Sequence, residues 1–563
     1  MRSKPVVLAS LLLASFAVNL DTTIVNVALP SLVRELYATT TQLQWVVDAY
    51  NLVFAALLLT SGTLSDRLGR KGMLLGGLGV FGLASLAGAS TSSASALIGA
   101  RAVMGLGAAM IFPATLSTIA NVFTERRERA LSIGLWGASA GVAIAVGPIV
   151  GGLLLEKFSW ASIFVFMAPV AAVGALLVAL GVPNSKDPSA VRVDLPGFAL
   201  SSAAMALLVF TIIEAPDVGW SGLRTMGGFG FAVALFALFV GWERRTDTPM
   251  LDLRLFRNMR FTAASGAVTV AFFTLFGFIF LMTQYFQFLQ SFSPLSTGVH
   301  LLPVAVSVGV SSVFGTRLAV RAGSKLVVTV GLLAIAGFYV WVASVITAHT
   351  TYEVIAAQMV LYGVGMGFTS APATESIMGA VSIHKAGVGS AVNDATRLLG
   401  GTLGVAVIGS VYASLYGSQL SSHLPARFPA NLSAVAHQSV GAAIAVSNRL
   451  SALGMGHLGA AVHRAAFTAF LHGISVGCLV AGGVAVLGGL IAMNFLPAQP
   501  PSSGIPETSE VPSRARHVTS QVASLEPVIV PGALHKGSVD VRASLIFAST
   551  SSKAGSTPPC SAP

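Results

Sequence analysis

Long apolar runs alternate with short polar breaks from Pro5 to about Leu496. A helix that crosses a bilayer needs about 20 mostly apolar residues at 1.5 Å rise per residue. By that rule the chain carries roughly fourteen spans, the first centred near Phe16 and the last near Val480. The pattern predicts an all-α polytopic membrane protein. The N-terminal run "MRSKPVVLASLLLASF" has the look of a signal peptide, yet it continues towards Pro30 without a small-residue cleavage site. It is therefore read as a retained first span. Two stretches break the rhythm. Residues from about 415 to 465 read as a long Ala/Ser/His-rich external loop that could hold an amphipathic surface helix. Residues 497–563 are Pro/Ser-rich with weak periodicity, so disorder is expected there.

The charges give the orientation. With the N-terminus inside, the inner segments up to Lys385 hold 19 Lys and Arg and the outer loops hold 6. Cytoplasmic loops carry the excess of basic residues in membrane proteins, so an N-in, C-in arrangement follows, in the cytoplasmic membrane. Composition agrees: 54% of residues are hydrophobic, 9% are charged, and the mean hydropathy is +0.81. The net charge of +11 sits in short loops and serves anchoring, so no nucleic-acid partner is implied. The two cysteines, Cys478 and Cys560, form no disulfide framework and no metal-ligand spacing.

The chain repeats itself. "LSDRLGRKGMLLGG" at 64 has a degraded echo in "LAVRAGSKLVVTVG" at 318, with Arg67, Gly69 and Lys71 recurring as Arg321, Gly323 and Lys325. Val320 stands where Asp66 would recur. "FPATL" at 112 recurs as "APATE" at 371. Two six-helix halves, with a helix pair inserted between them, would produce these offsets, and parallel halves around a central cavity are a transporter architecture. The expected division is residues 5–183 for the first half, 184–260 for the inserted pair and its inner loop, 261–496 for the second half, and 497–563 for the tail.

Four motifs then carry a resemblance. "LDTTIVNVALP" lies in the first span, "GTLSDRLGRKGMLL" follows the second, "RAVMGLGAAMIFPAT" fills the fourth and "GASAGVAIAVGPIVGG" the fifth. In that order, the chain resembles the major facilitator superfamily and, within it, the fourteen-helix drug:proton antiporters. The resemblance implies export of lipophilic, cationic compounds in exchange for protons, by a monomer, with the proton as coupling ion and no cofactor. It also implies that Gly62, Asp66, Arg67, Gly69, Arg70 and Lys71 form a charge latch holding one conformational state. Positive-inside anchoring alone explains those basic residues, but not Asp66 or the two glycines, which suit close packing and a tight turn. In the fifth span, Gly137 and Gly141, and Gly147 and Gly151, are four apart and would admit a close neighbour. Pro148 can bend the helix. The resemblance places that bend, with Gly147, Pro148, Gly151 and Gly152, at the interface between halves.

The buried charges are the candidates for coupling. An intramembrane charge is expensive and needs a partner or water. Arg101 lies deep in the fourth span, and Asp21, Asp48 and Asp394 lie within the first, second and thirteenth. A neighbouring cation favours the charged form of a carboxyl, and burial disfavours it, so a carrier could alternate the two conditions. A structural ion pair is the plainer alternative. Arg397, three residues after Asp394, would neutralise it. On the first helix, Asn19, Thr22, Thr23 and Asn26 fall within about 100° of one another and are read as a cavity-facing stripe. Asp21 lies off the stripe, as a partner for protons or for Arg101. In the aromatic-rich ninth span Phe273, Phe276 and Phe280 share a face, and Phe276 and Phe280 are candidate cavity residues for cation–π contact. The residues also leave open a dedicated exporter of an endogenous antibiotic, siderophore or lipid. A membrane-embedded enzyme or a channel is the different-class alternative. The scattered histidines form no catalytic cluster, and there is no Gly-rich Lys-Ser/Thr nucleotide loop.

Overall fold

A computed structural model describes residues 4–186, 194–381, 386–425 and 428–498. Among them the regular structure is helical, and fourteen helical segments are long and apolar enough to cross a membrane. The first six spans are α1 (Lys4–Leu36), α2 (Thr40–Leu68), α3 (Arg70–Ala89), α4 (Ala94–Val122), α5 (Arg126–Lys157) and α6 (Ser162–Gly181). The pair α7 (Leu195–Val218) and α8 (Leu223–Glu243) follows. The second set is α9 (Met259–Gln284), which runs on through a wide turn at Tyr285–Leu289, then α10 (Pro294–His300) with α11 (Leu302–Ala322) as one broken span, α12 (Ser324–Val345), α13 (Tyr352–Gly379), α14 (Ala386–His423) and α17 (Gly456–Phe495).

The external loop is shorter than its sequence suggested. Helix α14 continues to His423, and two short helices, α15 (Ala430–Gln438) and α16 (Val440–Ala452), precede α17. Helix α16 is not a free surface helix. Ser439 caps its N-terminus by accepting from the Ala442 amide, and Gly441 is wedged against Val33 and Phe288. Thr40 donates to the Gln438 carbonyl at 3.2 Å, and Tyr416 donates to that of Ala436 at 3.0 Å. The loop is thus held down on the outer end of the bundle. The expected disorder of the tail falls on residues that, from 499 on, lie outside the described ones.

Small residues let the helices meet. A Cβ on Gly105 would stand 2.5 Å from the Tyr50 carbonyl oxygen, and one on Gly107 2.8 Å from the Phe81 amide, so α4 packs against α2 and α3 nearly backbone to backbone. In the second half Gly400 and Gly404 do the same against α9, at Thr269 and Phe273. The inserted pair leans on the seam between the halves. Val209 and Ile213 of α7 pack with Leu52 of α2 and Ala406 of α14, and Trp45 donates to Glu214 at 3.4 Å.

The two ends of the bundle differ. Among the described residues, the hydrogen bonds found between the two six-helix halves gather at the outer end. Gln44 of α2 donates to the Val405 and Ala406 carbonyls at 3.2 and 3.0 Å and to Ser410 at 3.2 Å. Gln287 donates to the Val27 carbonyl at 2.9 Å. Between α5 and α10, a Cβ on Gly298 would lie 2.2 Å from the Pro148 carbonyl oxygen, and one on Gly152 2.5 Å from Leu295 Cα. Towards the inner end α5 turns exposed: Gly137 and Gly141 have nothing within 4 Å of a Cβ position. The expectation of a close neighbour at that pair is therefore corrected, because the halves are splayed there. The chain is closed outside and open inside.

In a Cys560→Ser background, where Cys478 is buried, Gly137→Cys should react with a membrane-impermeant maleimide in inverted vesicles and not in right-side-out ones. Labelling from the outside alone would contradict this arrangement.

Candidate proton and substrate sites

Helix α4 brings Arg101 into the first half with its side chain wholly buried. Its Nη1 pairs with Asp21 Oδ2 on α1, itself buried. Its Nε donates to the Val46 carbonyl of α2 at 3.0 Å. The guanidinium lies 4.3 Å from the centre of the Tyr50 ring, a cation–π distance, and the Tyr50 hydroxyl donates to the Val18 carbonyl at 3.0 Å. Three helices are thus tied through one cation. The close approach at Gly105, one turn along α4, puts Tyr50 in reach. Asp21 Oδ1 has no hydrogen-bond partner.

Asp48 does not join this pair. It is fully buried on α2, and neither of its oxygens has a partner; the same holds for both polar atoms of Asn51. Gln44, Asp48 and Asn51 follow the four-then-three spacing of one helix face, and Gln44 shows that this face meets α14. Thr402 Oγ1, on the stripe of α14 shared by Val405, Ala406 and Gly409, is also unpartnered. A second, separate cluster surrounds Asp394. Asn393 donates to Asp394 at 3.4 Å and accepts from Thr374 of α13 at 3.1 Å. Arg397 forms no ion pair with Asp394 within 4.0 Å. It donates to Thr374 at 3.1 Å and lies 5.2 Å from the Phe272 ring centre. The expected pair is not a direct one: the long Arg397 side chain reaches across to α13 and α9. Thr374 is the repeat of Thr115, which accepts from Trp136 of α5 at 3.0 Å. The paired "PAT" segments thus use one hydroxyl in each half to hold the following interface helix.

Between the halves lies an apolar cavity of about 170 Å³, with Thr23, Pro148, Phe272, Phe278, Met366 and Ser370 in its wall. Of the polar stripe on α1, Thr23 reaches this wall. Thr22 and Asn26 are buried, and Asn19 is half-buried. Asn19, Thr22, Thr23 and Asn26 each donate back to their own helix, to Ser15, Asn19, Leu20 and Thr22. The aromatic assignment is also corrected. A Cβ on Gly401 of α14 would lie 3.1 Å from the Phe276 ring, and Phe280 is wholly buried. That face of α9 packs against α14 because glycines there open a groove, and Phe272 and Phe278 take the cavity wall.

The glycine and proline motif of α5 serves two contacts. Gly147 and Gly151 face Thr23 and Ile24 of α1, whereas Pro148 and Gly152 face α10 across the seam. In the loop motif, Asp66 pairs with Arg70 at 2.8 Å. Lys71 donates to the Ala179 carbonyl at 2.6 Å, and the Arg70 amide to that of Ser185 at 3.1 Å. Arg67 is exposed. Gly69 has φ +118°, which only glycine adopts without strain. Gly62 is not demanded by packing here, since a Cβ would meet Pro113 at an ordinary 3.6 Å. Gln44, Tyr50 and Thr374 were not singled out from sequence. The "PAT" repeat was the signal available for Thr374. Among the described residues, no group of three or more His, Cys, Asp or Glu could hold a metal.

Comparison with known proteins defines the class. The model of the Major Facilitator Superfamily matches residues 11–405, and the chain belongs to that superfamily of membrane transporters. It is 36% identical to the methylenomycin A resistance protein of Streptomyces coelicolor over 70% of this chain and 82% of that one. It is 34% identical to the multidrug efflux pump LfrA of Mycolicibacterium smegmatis, over 72% and 80%. The tetracenomycin C resistance and export protein of Streptomyces glaucescens matches at 30% over 88% and 92%. Among solved structures, a bacterial homologue of the human lysosomal transporter Spinster, inward-facing and occupied, aligns with TM-score 0.63 at 15% identity, over 88% of this chain and 98% of that one. That likeness supports the fold.

Removing one partner of a buried pair strands the other charge, at a cost of about 3–5 kcal/mol. Arg101→Gln should therefore lower the thermal unfolding temperature in detergent, and Asp21→Asn/Arg101→Gln should recover most of the loss. A double variant no more stable than Arg101→Gln would deny the pair its structural weight.

Proposed function

We propose that the chain is a proton-driven exporter of lipophilic, cationic compounds, working by alternating access across the cell membrane, and that it is a carrier and not an enzyme or a channel. The observation that carries the reading is the buried Asp21–Arg101 pair inside the first half, together with a central cavity that is shut outside and open inside. The names of the relatives, a multidrug efflux pump and two antibiotic resistance proteins, support export of drug-like molecules. The two antibiotic resistance names also favour the narrower reading, a dedicated exporter of one antibiotic.

In the inward-open form the ionised Asp21 holds Arg101 and ties α1 to α4. A lipophilic substrate enters from the inner side and meets an uncharged wall in which Phe272 and Phe278 can face a cation. Reorientation breaks the outer contacts of Gln44 with α14 and of Pro148 and Gly152 with α10. A proton from outside then neutralises Asp21 and weakens its hold on Arg101, and its release inside restores the pair. Asp48 and Asp394 are the further proton or cation sites, one in the seam and one in the second half. Asp66, Arg70 and their neighbours act as the inner latch, which is open in this form, as Asp66 pairs within its own half. The chain functions as a monomer with the proton as its only coupling ion.

Inverted vesicles with an imposed pH gradient should accumulate a lipophilic dye cation, and a protonophore should collapse the uptake. Asp21→Asn should abolish gradient-driven uptake while leaving dye binding in place. Uptake that survives the protonophore undiminished, or full coupled efflux in each of Asp21→Asn, Asp48→Asn and Asp394→Asn, would overturn the reading.

A further inference from the structure

The degraded copy of the loop motif leaves a charge imbalance. In the first copy two of the three basic residues are engaged within the protein, as Arg70 pairs with Asp66 and Lys71 donates to a carbonyl at the end of α6, while Arg67 is exposed. In the second copy the turn survives, with Gly323 at φ +86°, and so do Arg321 and Lys325. The acid does not survive, because Val320 replaces it, and Arg317 is added one turn deeper on α11. Among the described residues, Arg317 and Arg321 have neither a hydrogen bond nor an ion pair. Glu375, two turns beyond Phe368 on α13, is exposed and pairs with neither.

These two arginines line a groove of about 730 Å³ whose other walls are Phe314, Leu318, Val320 and Phe368. Phe314, Arg317, Leu318 and Arg321 stand at positions i, i+3, i+4 and i+7, the spacing of a single helix face. The groove faces away from the substrate path. Met366 and Ser370 line the central cavity, and Phe368 lies about 200° round α13 from Met366, at 100° per residue. A Cβ on Gly331 of the neighbouring α12 would stand 3.0 Å from Phe368 Cβ, so that side chain marks the outer side, where α11 and α12 meet. The groove therefore opens towards the bilayer, at the end that the basic bias assigns to the cytoplasm.

We propose that this groove is a binding site for an anionic phospholipid, with its phosphate on Arg317 and Arg321 and an acyl chain along Phe314, Leu318 and Phe368. The chemistry is matched twice. Unneutralised arginines at headgroup depth attract anionic lipid, and guanidinium groups take phosphate oxygens as paired acceptors. The exposed aromatic and aliphatic floor suits a chain and not water. Helix α11 continues α10, which closes against α5 outside, so a lipid seated here touches one of the helices that must move between states. The site stands independently of which compound is exported.

The full-length protein is released from vesicles of equal phosphatidylglycerol and phosphatidylcholine and weighed by native mass spectrometry. The wild-type protein should retain phosphatidylglycerol several-fold over phosphatidylcholine. Arg317→Gln/Arg321→Gln should lose that preference, while Arg244→Gln/Arg245→Gln, on another inner loop, keeps it. Equal retention by wild type and the Arg317/Arg321 variant would overturn the proposal. So would a wild type without preference that gains one when Glu507, Glu510, Glu526 and Asp540 are neutralised together, since the groove would then belong to the tail.

Discussion

An arginine placed inside an apolar bundle has to find its counter-charge and its acceptors within the protein, because hydrocarbon supplies neither. Arg101 meets that demand with Asp21, the Val46 carbonyl and the Tyr50 ring, taken from two other helices. The first half is organised around that solution. Gly105 is small so that α2 can approach, and the approach is what brings Tyr50 over the guanidinium. The pair is a structural tie between helices, and under the proposed function it is also the site of proton exchange, so stability and coupling would rest on the same atoms.

The same solvent constraint shapes the contact between halves. At the outer end it is made from glycines and two amide side chains: Gly152 and Gly298 admit backbone on the α5–α10 side, Gln44 bonds carbonyls on the α2–α14 side, and Gln287 bonds the Val27 carbonyl. Such contacts hold without a buried charge crossing the seam, and they can break without stranding one. Pro148 contributes its carbonyl to the packing at Gly298, so the proline and the opposing glycine form one joint. Asp48 and Thr402 stand in the same seam with open hydrogen-bonding capacity.

Much of this was legible before any coordinates. Fourteen spans follow from the length of the apolar runs, and the halves follow from the 64/318 and 112/371 repeats, because both are local patterns along one chain. The partnership of Asp21 with Arg101 was one of two roles that its position off the polar stripe allowed. The aromatic face of α9 was misread. Phe273, Phe276 and Phe280 share a side by periodicity, but which side meets the cavity depends on Gly400, Gly401 and Gly404 of a helix more than a hundred residues on. A direct bond from Arg397 to Asp394 does not form, for a similar reason: spacing of three permits it, and a flexible side chain instead chose Thr374 and Phe272.

The sequence by itself determined the number of spans, their orientation, the twofold plan and the identity of the buried charges, since each depends on hydropathy, charge bias or self-similarity along the chain. Tertiary structure alone decided which charges meet, which ring faces the cavity, and which end of the bundle is shut. Those outcomes turn on helix rotation and close approach between segments far apart in sequence. A glycine on one helix sets them by deciding how near, and with which face, the next can come.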